Sequence, residues 1–196
     1  MFMTDRYNPD IHHRRSRRLK GYDYSQAGAY FITVCTRNRE CLLGDVIDGV
    51  MALNDAGRVV EEEWMKSADI RKEIELDAFV IMPNHIHGII VIDGRGTARR
   101  APTCERFGQP TVGSIPTIVR AFKSACTKRI NDMRNARGTP VWQRNYYEHV
   151  IRNEDDLDRI RQYIADNPVC WAEDENNPDN IPAQTDEGPV SRRRLQ

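Results

Sequence analysis

Residues 74–92 constrain the fold more than any other stretch of this chain. Ile74-Glu-Leu-Asp-Ala-Phe-Val-Ile-Met82 and His85-Ile-His-Gly-Ile-Ile-Val-Ile92 are both apolar, rich in β-branched residues and of strand length. Only Pro83 and Asn84, a turn dipeptide, stand between them. Strands joined this tightly pair antiparallel, so a β-hairpin is expected in the middle of the chain. Side chains alternate faces along a strand, which brings His85 and His87 out on one face and turns Ile86 to the other. Two imidazoles a few ångströms apart are most of a small metal site. On an isolated strand they read equally well as two polar residues facing solvent.

The flanking elements follow from periodicity and punctuation. Ala29-Tyr-Phe-Ile-Thr-Val-Cys-Thr36 is a strand by composition. Residues 37–52 are a loop with a short hairpin around Gly44 and Gly49. Asn54 caps a helix from Asp55 to about Ser67, with Val60, Trp64 and Ala68 at helical spacing. Ser114 caps another, Ile115 to about Met133, whose buried stripe is Ile118, Phe122, Ala125 and Ile130. Asn153, with Asp156 three residues on, opens a last helix that Asn167-Pro168 stops. The order is strand, helix, strand, strand, helix, appended helix. It predicts an α+β fold of the ferredoxin-like, split βαβ kind: an antiparallel sheet, helices on one face and an appended C-terminal helix. Residues 141–149 are the best candidate for its fourth strand. Residues 1–26 read as a basic N-terminal arm, 27–171 as one folded domain and 172–196 as a disordered polar tail.

Charge is segregated along a chain that is neutral overall. Residues 95–144 carry eleven Lys and Arg against Glu105 and Asp132, a net charge of +9, whereas residues 148–187 carry three against twelve, a net charge of −9. A basic middle segment fits a polyanionic partner, and fits equally a solvated basic surface. The five cysteines are odd in number and widely spaced, with no Cys-x-x-Cys, so neither a zinc knuckle nor a disulfide framework is indicated. No apolar run is long enough to span a membrane and the N-terminus lacks an apolar signal core, so a cytoplasmic setting is expected.

On the last helix Tyr163 and Asn167 stand four residues apart and share a face. At 100° per residue they fall roughly 70° to one side of the Leu157, Ile160 and Ile164 stripe. They therefore border the core, where a side chain reaches into a groove over the sheet. Alone, Tyr163 reads as a helix-flank aromatic and Asn167 as a stop residue.

Several strings together carry a resemblance. Phe79-Val-Ile-Met-Pro-Asn-His-Ile-His87 resembles the His-hydrophobic-His strand of the single-tyrosine HUH transposases. Trp142-Gln-Arg-Asn-Tyr-Tyr-Glu-His-Val-Ile-Arg-Asn153, followed by Arg161-Gln-Tyr-Ile-Ala-Asp-Asn-Pro168, is similar to one branch of them, the REP-associated tyrosine transposases. Gly28-Ala-Tyr-Phe-Ile-Thr33 and Phe122-Lys-Ser124 match as well, and the likeness covers about residues 20–170. It implies that His85 and His87 ligate a divalent metal, Mg²⁺ or Mn²⁺. It implies that Tyr163 is the nucleophile and that Asn167 stands at the third, helix-borne oxygen ligand. It further implies cleavage and rejoining of single-stranded hairpin DNA through a covalent 5′-phosphotyrosine. The long polar extensions at both ends depart from the family pattern.

On this reading Arg95, Arg99, Arg100, Arg120, Lys123 and Lys128 hold the DNA backbone. Trp142, Tyr146 and Tyr147 stack bases, each contact worth about 1–3 kcal/mol. Trp142 reads more readily as a core anchor, and Tyr146 and Tyr147 are rival nucleophiles that lack the Asn or Gln four residues on that Tyr163 has. The protein is expected as a monomer or homodimer, with Tyr163 meeting the histidines of its own subunit or of a partner's. Alternative readings are a domesticated, non-cleaving DNA-binding protein on the same scaffold, and an HUH nickase for replication or transfer.

Overall fold

The computed structural model describes residues 22–93, 111–174 and 176–180. Residues 1–21 of the expected arm, and Arg95, Arg99 and Arg100, lie outside them. Strand β1 (Gly28–Cys35) leads through a small hairpin, β2 (Gly44–Ile47) and β3 (Val50–Leu53), into helix α1 (Asp55–Ile70). Then come β4 (Ile74–Met82), β5 (His85–Ile92), α2 (Ile115–Met133), β6 (Tyr147–Ile151) and α3 (Glu154–Asp166). The main sheet is antiparallel throughout, in the order β4-β5-β1-β6. Its two central strands are therefore the first and third of the four in chain order. Two interlocked split βαβ units produce that order, as the ferredoxin-like expectation requires.

Alternation along β1 and β5 divides the molecule into layers. Tyr30, Ile32 and Val34 of β1 and Ile86, Ile90 and Ile92 of β5 face the main core, where Val60 and Trp64 of α1 meet Ile118, Val119 and Phe122 of α2. The opposite face carries Phe31 and Ile89, and α3 lies across it with Ile160 and Ile164 buried. Helix α1 starts where Asn54 Oδ1 accepts the Gly57 N–H at 3.0 Å, a side-chain N-cap. At α2 the expected cap is not made: Ser114 Oγ donates to the Thr111 carbonyl instead, at 2.7 Å. The buried stripe of α2 uses Cys126 rather than Ala125. Asn153 Oδ1 caps α3 through the Asp156 N–H at 2.8 Å, but the Asp156 carboxylate turns to His149 and Arg159 and does not complete a capping box.

Two segments differ from expectation. The fourth strand begins at Tyr147, because Val141 and Trp142 are drawn into the main core and Trp142 forms only an isolated bridge to Thr36. Residues 171–173 and 178–180 form short 3-10 turns where a disordered tail was expected, with Asn176 and Asn177 buried. Polar composition orders this stretch: Asp174 Oδ1 accepts from the Asn176 N–H and side-chain amide, and Asn177 Nδ2 donates to the Trp171 carbonyl at 3.0 Å. At the other end Tyr24 is buried against Tyr22 and Tyr30, so the last residues of the expected arm belong to the core. No helix among the described residues is long and apolar enough to cross a membrane.

Candidate functional site

The register of β1 against β5 places Thr33 beside His87 and Cys35 beside His85, all on the face that α3 covers. Both histidines are buried, with ring centroids 4.5 Å apart. Each Nδ1 is held from behind. His85 Nδ1 lies 2.8 Å from Asn84 Oδ1. The Asn84 amide group itself donates to the carbonyls of Arg39 and Asn176, at 2.9 and 2.7 Å, which leaves Oδ1 as the acceptor. His85 therefore carries its proton on Nδ1 and a lone pair on Nε2. His87 Nδ1 is 2.8 Å from Thr33 Oγ1, and its Nε2 is 3.2 Å from the Tyr163 hydroxyl. A phenol donating to Nε2 leaves Nδ1–H for Thr33, the same tautomer. Burial pushes the His85 pKa down to about 4 and that of His87 well below its usual value, so both rings are neutral at pH 7.

Tyr163 reaches this pair from α3. Its ring packs edge-on to His87 and to Phe31, at 5.1 and 6.1 Å between centroids, and the residue keeps 47% of its surface exposed. Helix α3 is fixed on the sheet by Ile160 and Ile164 and by Arg161, whose Nε and Nη2 reach the Asp77 carboxylate at 3.0 and 2.6 Å. Asp77 is offered to α3 where the β4–β5 register shifts between Leu76 and Phe79. One turn beyond Tyr163, at the end of α3, Asn167 is buried beside the histidines and raises the His85 pKa against the larger effect of burial.

The donor set fits a divalent cation. His85 Nε2 and Asn167 Oδ1 are buried, and neither has a hydrogen-bond partner. Two orphaned lone-pair atoms in one pocket are costly unless something electropositive fills it. Asp174 completes the arrangement: one ligand atom each from His85, His87 and Asp174 lie within 4.8 Å of one another. Imidazole nitrogens with an amide and a carboxylate oxygen form a mixed set that accepts Mn²⁺, Mg²⁺ or a zinc-like metal.

Sequence reasoning missed Asp174, Asn84 and Thr33. Asp174 was hidden in a stretch whose acidic, Asn- and Pro-rich composition reads as a tail. Asn84 lay within the quoted motif, but its part in orienting His85 needs the fold.

The other candidate residues separate clearly. Tyr147 is opposite Thr33 on the site face, 42% exposed, its ring 6.2 Å from Phe31. Phe31 thus floors a shallow trough with Tyr147 on one side and Tyr163 on the other. Tyr146 packs against the main core on the opposite face. Trp142 is only 6% exposed and sits against Phe122, which leaves no ring face for a base. Arg120 and Lys128 are exposed on α2. Lys123 turns inward and donates to the Gln143 carbonyl at 2.5 Å and to those of Arg144 and Asn145 at 3.4 Å.

No protein-family model matches the chain. An uncharacterized protein of Haemophilus influenzae is 43% identical over 180 residues, covering 88% of this chain and 98% of its own. A second protein of that organism, named "Putative REP-associated tyrosine transposase", is 26% identical over 151 residues, covering 75% and 73%. Among solved structures, a REP-associated tyrosine transposase bound to a REP hairpin superposes with a TM-score of 0.52 at 23% identity, over 81% of this chain and 73% of that one. That likeness establishes the shared fold.

Proposed function

We propose that this chain, similar in sequence and in fold to REP-associated tyrosine transposases, is a metal-dependent, single-tyrosine DNA transesterase that cuts and rejoins single-stranded hairpin DNA. The observation that carries the reading is the meeting, within one chain, of the Tyr163 hydroxyl and the buried His85–His87 pair beside two orphaned lone-pair atoms.

Tyr163 supplies the nucleophile. Its phenolic oxygen forms a bond to the scissile phosphorus as the bond from phosphorus to the 3′ oxygen breaks. The proton lost by the phenol is matched, through solvent, by the proton gained by the leaving 3′ hydroxyl. The products are a 5′-phosphotyrosine and a free 3′ end. The link keeps the energy of the phosphodiester, so the reverse attack rejoins the strand without a nucleotide cofactor. His85, His87, Asn167 and Asp174 would hold the Mg²⁺ or Mn²⁺. Such an ion would supply charge neutralisation at the phosphate oxygens. Phe31 and Thr33 form the floor beneath the substrate, and Tyr147 offers an exposed ring for a base next to the cleaved bond. The partner is a DNA hairpin, as it is for the solved relative.

The test is a covalent adduct. The full chain is mixed with an end-labelled hairpin oligonucleotide and Mg²⁺ or Mn²⁺, and the products are run on a denaturing gel. A labelled band at protein mass is expected, lost with chelator and lost in Tyr163→Phe. An adduct that persists in Tyr163→Phe, or none with any palindromic repeat found beside the gene, overturns the assignment.

A further inference from the structure

A groove of about 610 Å³ runs between the second half of α2 and residues 137–144, outside the site just described. Its cations are Lys123 and Lys128 of α2 and Arg137 and Arg144 across from them, with Asp132 the one carboxylate. Lys128, Arg137 and Arg144 are exposed, and none of the three is in an ion pair among the described residues. Elsewhere Arg58, Arg129, Arg159 and Arg161 are each held by a carboxylate. Three uncompensated cations around one concavity attract a polyanion.

We propose that this groove is a docking surface for the phosphodiester backbone of a single DNA strand, separate from the trough in which Tyr163 acts. The inference rests on the DNA-transesterase reading. Three observations choose the backbone as occupant. The lining offers charge and the exposed Ser124 hydroxyl, which suit phosphate oxygens, while Thr127 and Asn131 donate to the Lys123 and Thr139 carbonyls and shape the wall. The one large ring of the wall, Trp142, is buried in the core and gives no surface on which a base can stack. Lys123 is spent on three consecutive carbonyls, so it fixes the shape of the 143–145 wall and adds its charge from beneath.

Position and charge complement the catalytic face. The groove wall continues the end of β1: Gln143 N–H donates to the Cys35 carbonyl at 2.9 Å, and Cys35 is registered opposite His85. The groove therefore begins at the sheet end that carries His85, on the other side of the sheet. Helix α3, in contrast, carries five carboxylates, Glu154, Asp155, Asp156, Asp158 and Asp166, against only Arg159 and Arg161, with Asp166 the acid nearest Tyr163 along its face. A strand cannot lie along so acidic a helix at low cost, and it needs a cationic track elsewhere while one phosphate enters the trough. The role is sequence-independent, because phosphates carry no base identity.

The experiment is fluorescence anisotropy of labelled oligothymidylate with the full chain in EDTA. It compares wild type, the triple variant Lys128→Ala/Arg137→Ala/Arg144→Ala, and a control, Lys66→Ala/Lys72→Ala. All five positions are exposed, so each variant is expected to fold. The triple variant should bind at least about tenfold more weakly, and its slope of log affinity against log salt should shrink by about 2, at roughly 0.7 per lost phosphate contact on a single strand. The control should match wild type in affinity, in salt slope and in adduct yield. Unchanged affinity and slope in the triple variant overturn the groove while leaving the chemistry intact. An equal loss on a blunt duplex overturns the single-strand assignment. Groove-dependent binding with no adduct under any metal sinks the transesterase reading and leaves the groove standing. A wild-type chain that binds no DNA overturns both.

Discussion

At the scale of single residues, the chemistry depends on which nitrogen of each histidine carries the proton. Asn84 settles this for His85, because its amide group is committed to two carbonyls and only its oxygen faces the ring. Thr33 does the same for His87 with a hydroxyl. Both Nε2 atoms then share one pocket as lone pairs, and burial keeps them unprotonated. Partners behind metal-binding histidines tune affinity by orientation and basicity, typically by about 10–100-fold. Thr33→Val keeps the side-chain shape but leaves His87 Nδ1–H without an acceptor. Mn²⁺ titrated calorimetrically into this variant is expected to bind roughly tenfold more weakly than into wild type, with Thr33→Ser restoring affinity. An unchanged Mn²⁺ affinity in Thr33→Val would remove Thr33 from the site. The His pair was legible in the sequence because a strand has period two. Asp174 was not, since its position depends on the contact of the nearby Asn176 carbonyl with the Asn84 amide, and no local pattern encodes that contact.

At the scale of elements, β5 must carry the histidines on one face and take the main core on the other. The second demand falls on Gly88, next to His87. A Cβ at Gly88 would stand 2.4 Å from Cζ2 of Trp64, which is fully buried and packed against Phe79 and Phe122. The indole thus lies against the strand on the face opposite His85 and His87. Gly88→Ala is expected to cost about 1–3 kcal/mol through overpacking. Urea unfolding checks this: a midpoint equal to that of wild type would show that Trp64 can move aside. The bounds of α1, β4, β5, α2 and α3 were largely readable, because each has a clean period and a stop signal such as Asn167-Pro168. The fourth strand was placed several residues early. Val141 and Trp142 have the composition of a strand, but the core claims their side chains before regular pairing with β1 begins at Tyr147. Propensity marks such residues as extended and cannot say with what they pair.

At the scale of the whole molecule, the question is whether one chain holds a complete site. Sequence left this open, because His85, His87 and Tyr163 sit on separate elements and a helix after a short loop can dock on its own sheet or on a neighbour's. Here α3 lies on its own sheet. Ile160 and Ile164 pack on Phe31 and Ile89, Arg161 clasps Asp77, His149 of β6 bonds Asp156 at 2.8 Å, and the Tyr163 hydroxyl meets His87 at 3.2 Å. Exchange of α3 between two chains would only re-form these same contacts across protomers, adding none to offset the entropy of association. A site complete in one chain makes a definite prediction for mixtures. On the proposed transesterase reading, Tyr163→Phe keeps the metal ligands and lacks the nucleophile, and His87→Ala keeps the nucleophile and lacks a ligand. Each alone should form no adduct with a labelled hairpin and Mn²⁺. Mixed in equal amounts, unfolded together and refolded, they should still form none, because no single chain contains both halves. Adduct recovery toward about a quarter of the wild-type yield would mean that the tyrosine of one chain serves the histidines of another, as statistical pairing in a domain-swapped dimer would give. That result would overturn the one-chain site.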